Sequence, residues 1–221
     1  MRLAGDGVPI VIHDATLRRT SVLDGAVAEM TSKQLAKIDV GSWFNRMHPR
    51  LARDEYAQES VPTLQETLEL CRDKSGIVYV ELKSEASASK IDLVQSVAEL
   101  VRRSQFNRRS VVVSFDLGAL AAIKARDTSI RTGALFAPPR NGRTLRGETI
   151  IKSAFDCGAD EILVHRLLAR PRMIDKAREN NLPVVVWTVD DAKWIQRAEL
   201  GIQALITNDP EKLLNVLEAM A

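Results

Sequence analysis

Residues 160–190, DEILVHRLLARPRMIDKARENNLPVVVWTVD, decide the fold. DEILVHR (160–166) and LPVVVWTVD (182–190) are nearly continuous apolar runs rich in β-branched residues. That is the pattern of parallel strands covered on both faces, unlike the alternation of a half-wet antiparallel sheet. RPRMIDKARENN (170–181) between them reads as a helix, and Pro183 marks the next boundary. Strand, helix and strand in that order form a crossover unit, which is right-handed when the two strands share a sheet.

The same rhythm extends in both directions. GIVYVELK (76–83), SVVVSFD (110–116), RTGALFAPP (131–139) and IQALITNDP (202–210) read as further strands, and VPIVIHD (8–14) as an opening buried strand that ends in His13-Asp14. The helices predicted between and after them are LQETLELCRDK, KIDLVQSVAELVRRS, LGALAAIKARD, GETIIKSAFDCG, DAKWIQRAELG and EKLLNVLEAMA. In the second of these, Ile91, Val94, Val97, Ala98 and Val101 recur at steps of three and four and make one apolar stripe. Asp116 and Asp190 stand where N-caps belong, and Gly158 and Gly201 where helices stop.

Strict alternation leaves an open doubly wound sheet or a (β/α)8 barrel. Ionisable or polar residues close most strands, among them Glu81, Lys83, Asp116, Arg166, Trp187 and Asp190, and a barrel collects such ends at one mouth. No GxGxxG or GxxxxGK[ST] follows a strand, which disfavours the nucleotide-binding open sheets. The expectation is an α/β TIM-barrel-type domain spanning residues 1–221. Residues 39–61, DVGSWFNRMHPRLARDEYAQESV, interrupt the rhythm and read as a loop excursion over the barrel mouth, with Trp43-Phe44 as its hydrophobic plug or as a binding element.

Composition narrows the function. Thirty-one basic and 29 acidic side chains leave a net charge of +2, which predicts no nucleic-acid or membrane-surface partner. The densest basic stretch, RRSQFNRR (102–109), carries one aromatic and reads as a solvated rim. Two cysteines in unrelated contexts, Cys71 and Cys157, fit a reducing compartment and make the cytoplasm the expected location. No apolar run approaches the ~20 residues that span a bilayer.

Four residues stand out for chemistry. His13 can take or give a proton near neutral pH, and Asp14 beside it can orient the ring, although a histidine so placed is more often a structural hydrogen-bonding residue. Glu81 and Lys83 are two apart in a strand and so face the same side. They could be a hard oxygen ligand for Mg2+ or Ca2+ beside a phosphate-holding cation, or simply a mutual ion pair. Trp187 could line a pocket for a small organic group or fill the core. His48 and His165 carry no assigned role.

Taken in order, DGVPIVIHDATLRRTSVLDG, SVPTLQETLEL, VYVELK, VVVWTVDD and GIQALITNDP resemble the glycerophosphodiester phosphodiesterases over essentially all 221 residues. The resemblance implies a (β/α)8 barrel that hydrolyses glycerophosphodiesters to glycerol 3-phosphate and an alcohol with a divalent metal, Mg2+ or Ca2+. It implies that His13 is the catalytic acid for the leaving alcohol, Glu81 a metal ligand, and Lys83 and Trp187 contacts to the phosphate and the glycerol. The match starts part-way into the family pattern. A first strand ending His-Arg-Gly, a first helix and most of a second strand carrying Glu-x-Asp have no counterpart here, so the expected barrel is partial at its N-terminus and its metal site incomplete. A non-catalytic binding or scaffold role, and a related phospholipase C- or D-like hydrolase, are the alternatives.

Overall fold

The computed structural model describes residues 1–83, 87–139, 145–197 and 200–220, the side chains of 87–90 aside. The chain divides into two compact units, Met1–Val112 with Ala125–Ile130, and Val113–Lys124 with Arg131–Ala221.

The first unit opens on a hairpin. β1 (Arg2–Leu3) pairs antiparallel with β2 (Pro9–Ile10), Arg2 opposite Ile10. This corrects the reading of residues 8–14 as one buried strand ending in His13. The Asp6-Gly7 pair turns the chain, with Gly7 at φ 78°, and Ala4 N–H donates to Val8 O at 3.0 Å. A turn that needs a left-handed residue folds the β-branched run back on its own neighbour instead of extending it. Past Ile10 the backbone leaves the ribbon, and Val11 N–H donates to Pro62 O at 2.8 Å. His13 therefore lies in a bend anchored by the buried Ile10 and Leu17.

Next come α1 (Ser32–Leu35), α2 (Ser42–Met47) and α3 (Leu64–Leu70). Capping boxes start α1 and α3: Thr31 with Gln34, and Thr63 with Glu66. The core here is built on Ile10, Leu17, Val27, Leu35, Ile38 and Val61. β3 (Val78–Glu81) follows, then α4 (Ser87–Arg103) and β4 (Ser110–Ser114), whose first three residues lie beside β3 in this unit. Val78 N–H donates to Arg109 O at 2.8 Å where β3 begins. At its far end Met1 N donates to Glu81 O at 2.5 Å and Lys83 N–H donates to Met1 O at 3.0 Å. Those two bonds follow a parallel ladder, so the Met1 backbone lies beside the end of β3 as a strand neighbour would.

The expected excursion at 39–61 is a closed loop with a helix of its own. Asp39 and Ser60 form an antiparallel bridge, Val40 N–H donates to Glu59 O at 3.0 Å, and Asn45 exchanges two hydrogen bonds with the Arg53 backbone at 2.7 and 3.1 Å. Trp43 and Phe44, both half-buried, sit on α2, and the ring of Phe44 meets Trp43, His48 and Tyr56.

In the second unit β5 (Arg131–Phe136), β6 (Glu161–His165), β7 (Val184–Trp187) and β8 (Ala204–Leu205) are neighbours in chain order. The registers are parallel, with Gly133 opposite Glu161, Ile162 opposite Val184 and Val185 opposite Ala204. Between them run α5 (Leu117–Arg126, before β5), α6 (Gly147–Asp156), α7 (Pro171–Glu179) and α8 (Lys193–Arg197), with α9 (Pro210–Met220) last. The helix expected over 191–201 is thus described for its central turn, and 198 and 199 lie outside the described residues. β4 to β7 each put nearly all their residues inside, and fully burying one Ile or Val contributes roughly 1.5–3 kcal/mol, which is why these apolar runs were readable as strands. Asp116 caps α5, accepting from Ala119 N–H at 3.2 Å. Asp190 is no cap. α8 starts later, Asp191 accepts from Lys193 N–H, and Asp190 takes hydrogen bonds from Thr207 Oγ1 and from the backbone and side chain of Asn208.

A Cβ at Gly41 would overlap the Tyr56 carbonyl, a backbone group that cannot step aside. Gly41→Ala is expected to separate α2 from residues 54–58, cost roughly 1–3 kcal/mol as overpacking does, and direct limited trypsin cleavage to Arg46, Arg50 and Arg53. Urea unfolding together with peptide mapping checks it.

Candidate active site

His13, Asp14, Arg19, Glu81 and Lys83 meet in the first unit. Arg2 Nε donates to His13 O at 2.9 Å and fixes the backbone of the bend. The His13 ring, two-thirds exposed, is engaged at both nitrogens: Nδ1 lies 2.6 Å from Asp14 Oδ1 and Nε2 lies 3.1 Å from Lys83 Nζ. Arg19 Nε donates to the other oxygen of Asp14 at 2.6 Å. The turn that brings Arg19 round is closed by Thr20 and Ser21 N–H groups donating to Leu17 O. Lys83 Nζ also stands 2.7 Å from Glu81 Oε1. No directed hydrogen bond reaches that oxygen, so the contact is an ion pair by distance. The expected same-side placement of residues 81 and 83 is what permits it.

Electrostatics settles the tautomer of His13. The hydrogen bond from Arg19, and after it the one from His13, pulls the Asp14 carboxyl down to about 2. Asp14 is therefore an acceptor only, and a lysine ammonium is a donor only. Nδ1 must carry the ring proton toward Asp14, and Nε2 presents its lone pair to Lys83. Nε2 is thereby the ring nitrogen left with a lone pair.

Trp187 belongs to the second unit and is described with its neighbours there. It ends β7 half-buried, its indole N–H donates to Leu163 O at 3.1 Å, and its ring meets Phe115 and His165 edge-on, at 5.6 and 5.1 Å between centroids. His165 is the residue opposite Trp187 in the parallel register, and burial lowers its pKa. The sequence left the direction of His165 open, and the structure turns it to Trp187. His48 stacks on Phe44 in the excursion at 4.7 Å. Arg2 and Arg19 were missed. The one available signal for Arg19 was its fixed place five residues after Asp14 in HDATLRR.

The model of the glycerophosphoryl diester phosphodiesterase family matches residues 1–212. The chain belongs to this family. It is 27% identical over 222 residues to a glycerophosphodiester phosphodiesterase of Caldanaerobacter subterraneus subsp. tengcongensis, covering 98% of this chain and 83% of that protein. A putative glycerophosphodiester phosphodiesterase of Bacillus subtilis, YhdW, is 26% identical with 97% and 82% covered. Among solved structures, a putative glycerophosphoryl diester phosphodiesterase from Silicibacter pomeroyi superposes with a TM-score of 0.84 at 26% identity, covering 99% of this chain and 81% of that one. A phosphodiesterase from Oleispira antarctica, solved with sn-glycerol-3-phosphate, shares the fold at a TM-score of 0.81 and 21% identity, with 98% and 82% covered. The (β/α)8 class expected from the sequence is the class of these structures. Among the described residues no helix is long and apolar enough to cross a membrane.

The divalent cation implied by the resemblance does not fit the donors described here. Glu81 is already paired with the Lys83 ammonium, and among the described residues no three His, Cys, Asp or Glu side chains gather to hold a metal ion. Mg2+ and Ca2+ take several oxygen ligands. No step below is routed through a metal.

Asp14 titrates at about 2 in the folded chain and at roughly 3.9 in an unfolded one. A depressed carboxyl pKa lends stability that is whole above about pH 4 and is lost as pH falls toward 2. Urea unfolding of the protein and of Asp14→Asn should show a gap that is level at neutral pH and closes across that window. A gap that is unchanged throughout would refute the assignment.

Proposed function

We propose that the protein is a phosphoric diester hydrolase that cleaves glycerophosphodiesters to glycerol 3-phosphate and an alcohol, in the cytoplasm, as part of glycerophospholipid turnover. Family membership supports the reaction class, and the unpaired Cys71 and Cys157 support the compartment. The observation that carries the proposal is the 3.1 Å approach of Lys83 Nζ to His13 Nε2. It brings an ammonium together with a nitrogen able to carry a proton, and in this reading those are the two groups that serve a phosphodiester.

In this reading the anionic phosphate draws the Lys83 ammonium off Nε2, and Lys83 neutralises charge that grows on the phosphoryl oxygens. Nε2, released, takes up a proton while Asp14 keeps the one on Nδ1. Water forms the new P–O bond and releases one proton to solvent, which replaces the proton Nε2 took from solvent, while the bond from phosphorus to the alcohol oxygen breaks and that oxygen takes the Nε2 proton. The products are glycerol 3-phosphate and the free alcohol. The role of Trp187 as an apolar wall for the glycerol carbons rests on the resemblance.

Release of glycerol 3-phosphate from glycerophosphocholine and glycerophosphoethanolamine tests this. His13→Ala is expected to lower kcat by about 100-fold or more, the usual contribution of a general acid. Lys83→Ala and Trp187→Ala are expected to raise KM.

The pairing of Glu81 with Lys83 in place of a metal cluster favours a second reading, in which the chain binds such diesters without turning them over. Thermal stabilisation by glycerophosphocholine that depends on Lys83, with no product with or without Mg2+ or Ca2+, selects it. Neither product nor stabilisation overturns both readings.

A further inference from the structure

We infer that Arg19 is a positioning residue for His13 and that Trp43, in the excursion at 39–61, holds Arg19 in place. Three stretches far apart in sequence converge on one chain of contacts. The guanidinium of Arg19 lies 5.5 Å from the centre of the Trp43 ring, and Arg19 Nε donates to Asp14 Oδ2 at 2.6 Å. Asp14 Oδ1 in turn holds His13 Nδ1 at 2.6 Å. A planar guanidinium can stack on an aromatic face and direct an N–H in its own plane at the same time, and a lysine ammonium cannot.

Each link matters for a physical reason. The Asp14 side chain is about one-quarter exposed, and its two oxygens have opposite duties, one toward the ring and one toward Arg19. With Arg19 gone, the carboxylate loses the contact that fixes its rotation, and the ring loses the acceptor that keeps its proton on Nδ1. Arg19 is itself half-exposed and would sample many rotamers, a freedom that has an entropic cost to suppress. Trp43 supplies the surface that narrows them. Trp43 is held by the excursion, its ring packed edge-on to Phe44 at 6.1 Å and Phe44 edge-on to Tyr56 at 5.6 Å. The docking of residues 39–61 thus acts with Lys83 at Nε2 to hold the ring proton on Nδ1.

The consequence for turnover rests on the proposed hydrolase function, and the consequence for the imidazole does not. The test is therefore read first on the ring. In the full chain labelled with 15N-histidine, the three histidines give three sets of ring signals, and His13→Gln identifies one set. At mildly alkaline pH the protein is expected to show His13 with Nδ1 protonated and Nε2 bare. Arg19→Ala and Trp43→Leu are each expected to give a mixture of the two tautomers, and Arg19→Lys an intermediate signature. Backbone spectra confirm that each variant is folded, and Arg19→Lys with Trp43→Leu carry the test if Arg19→Ala does not fold.

In the hydrolase assay Arg19→Ala is expected to lower kcat roughly tenfold with little change in KM, as loss of an outer support to a functional histidine does. An unchanged His13 signature in Arg19→Ala and Arg19→Lys overturns the inference. A change with the Arg19 variants but not with Trp43→Leu overturns the part assigned to the excursion. Absence of hydrolysis by the unsubstituted chain counts against the proposed function and leaves the tautomer result to decide this inference.

Discussion

An ammonium held between a carboxylate and an imidazole ties the end of β3 to the bend after the hairpin. Lys83 reaches Glu81 at 2.7 Å and His13 at 3.1 Å, and those residues come from segments about 70 positions apart. Lys83 and Glu81, both largely buried, would each be costly without the other, since charged groups removed from water need partners. The rest of the site follows. With Nε2 facing a donor, Nδ1 must be the protonated nitrogen, so it needs an acceptor. Asp14 is that acceptor and in turn needs Arg19 on its second oxygen. The backbone serves the same arrangement, because Arg2 fixes the His13 carbonyl and the Met1 backbone lies along β3 beside Glu81 and Lys83.

The alternating half of the fold was legible because its physics is local and repeated. Runs such as EILVH and VVVW are buried along nearly their whole length, and helices such as α7 bury one stripe, Met173, Ile174 and Ala177. The opening run misled for a matching reason. VPIVI has the composition of a covered strand, but the residue that decides its fate is Gly7, whose positive φ folds the ribbon back. Composition reports what a segment wants to bury, and a turn decides what it pairs with. Asp190 failed similarly: either member of the Asp190-Asp191 pair could cap a helix, and only the start at Lys193 shows that Asp191 does.

At the site, the period-two rule for strands placed Glu81 and Lys83 together, and adjacency suggested that Asp14 orients His13. Both contacts exist. The approach of Lys83 to His13 had no local signal and was reachable only through resemblance to a family. Arg19 was passed over because an arginine in a polar stretch looks like solvated surface. Its distinguishing feature, an aromatic face 24 positions later in a separate loop, is tertiary. Trp187 was legible as a strand-end aromatic, but its edge-on contacts with Phe115 and His165 depend on the register between strands.

The position of Lys83 also says how such a site could respond to what enters it. Lys83 and Arg19 each face a carboxylate, Glu81 and Asp14, with the imidazole of His13 between them. A phosphodiester brings one negative charge, and Lys83 is the cation set against Nε2, whereas Arg19 is held by both a carboxylate and an aromatic face. Movement of Lys83 toward phosphate would leave Glu81 uncompensated and Nε2 open together. The first change would leave a carboxylate without its counter-charge, and the second would leave a ring nitrogen without its neighbour. One displaced ammonium would then couple an arriving anion to both the charge at Glu81 and the exposure of Nε2, and Asp14 with Arg19 would keep the ring in one orientation.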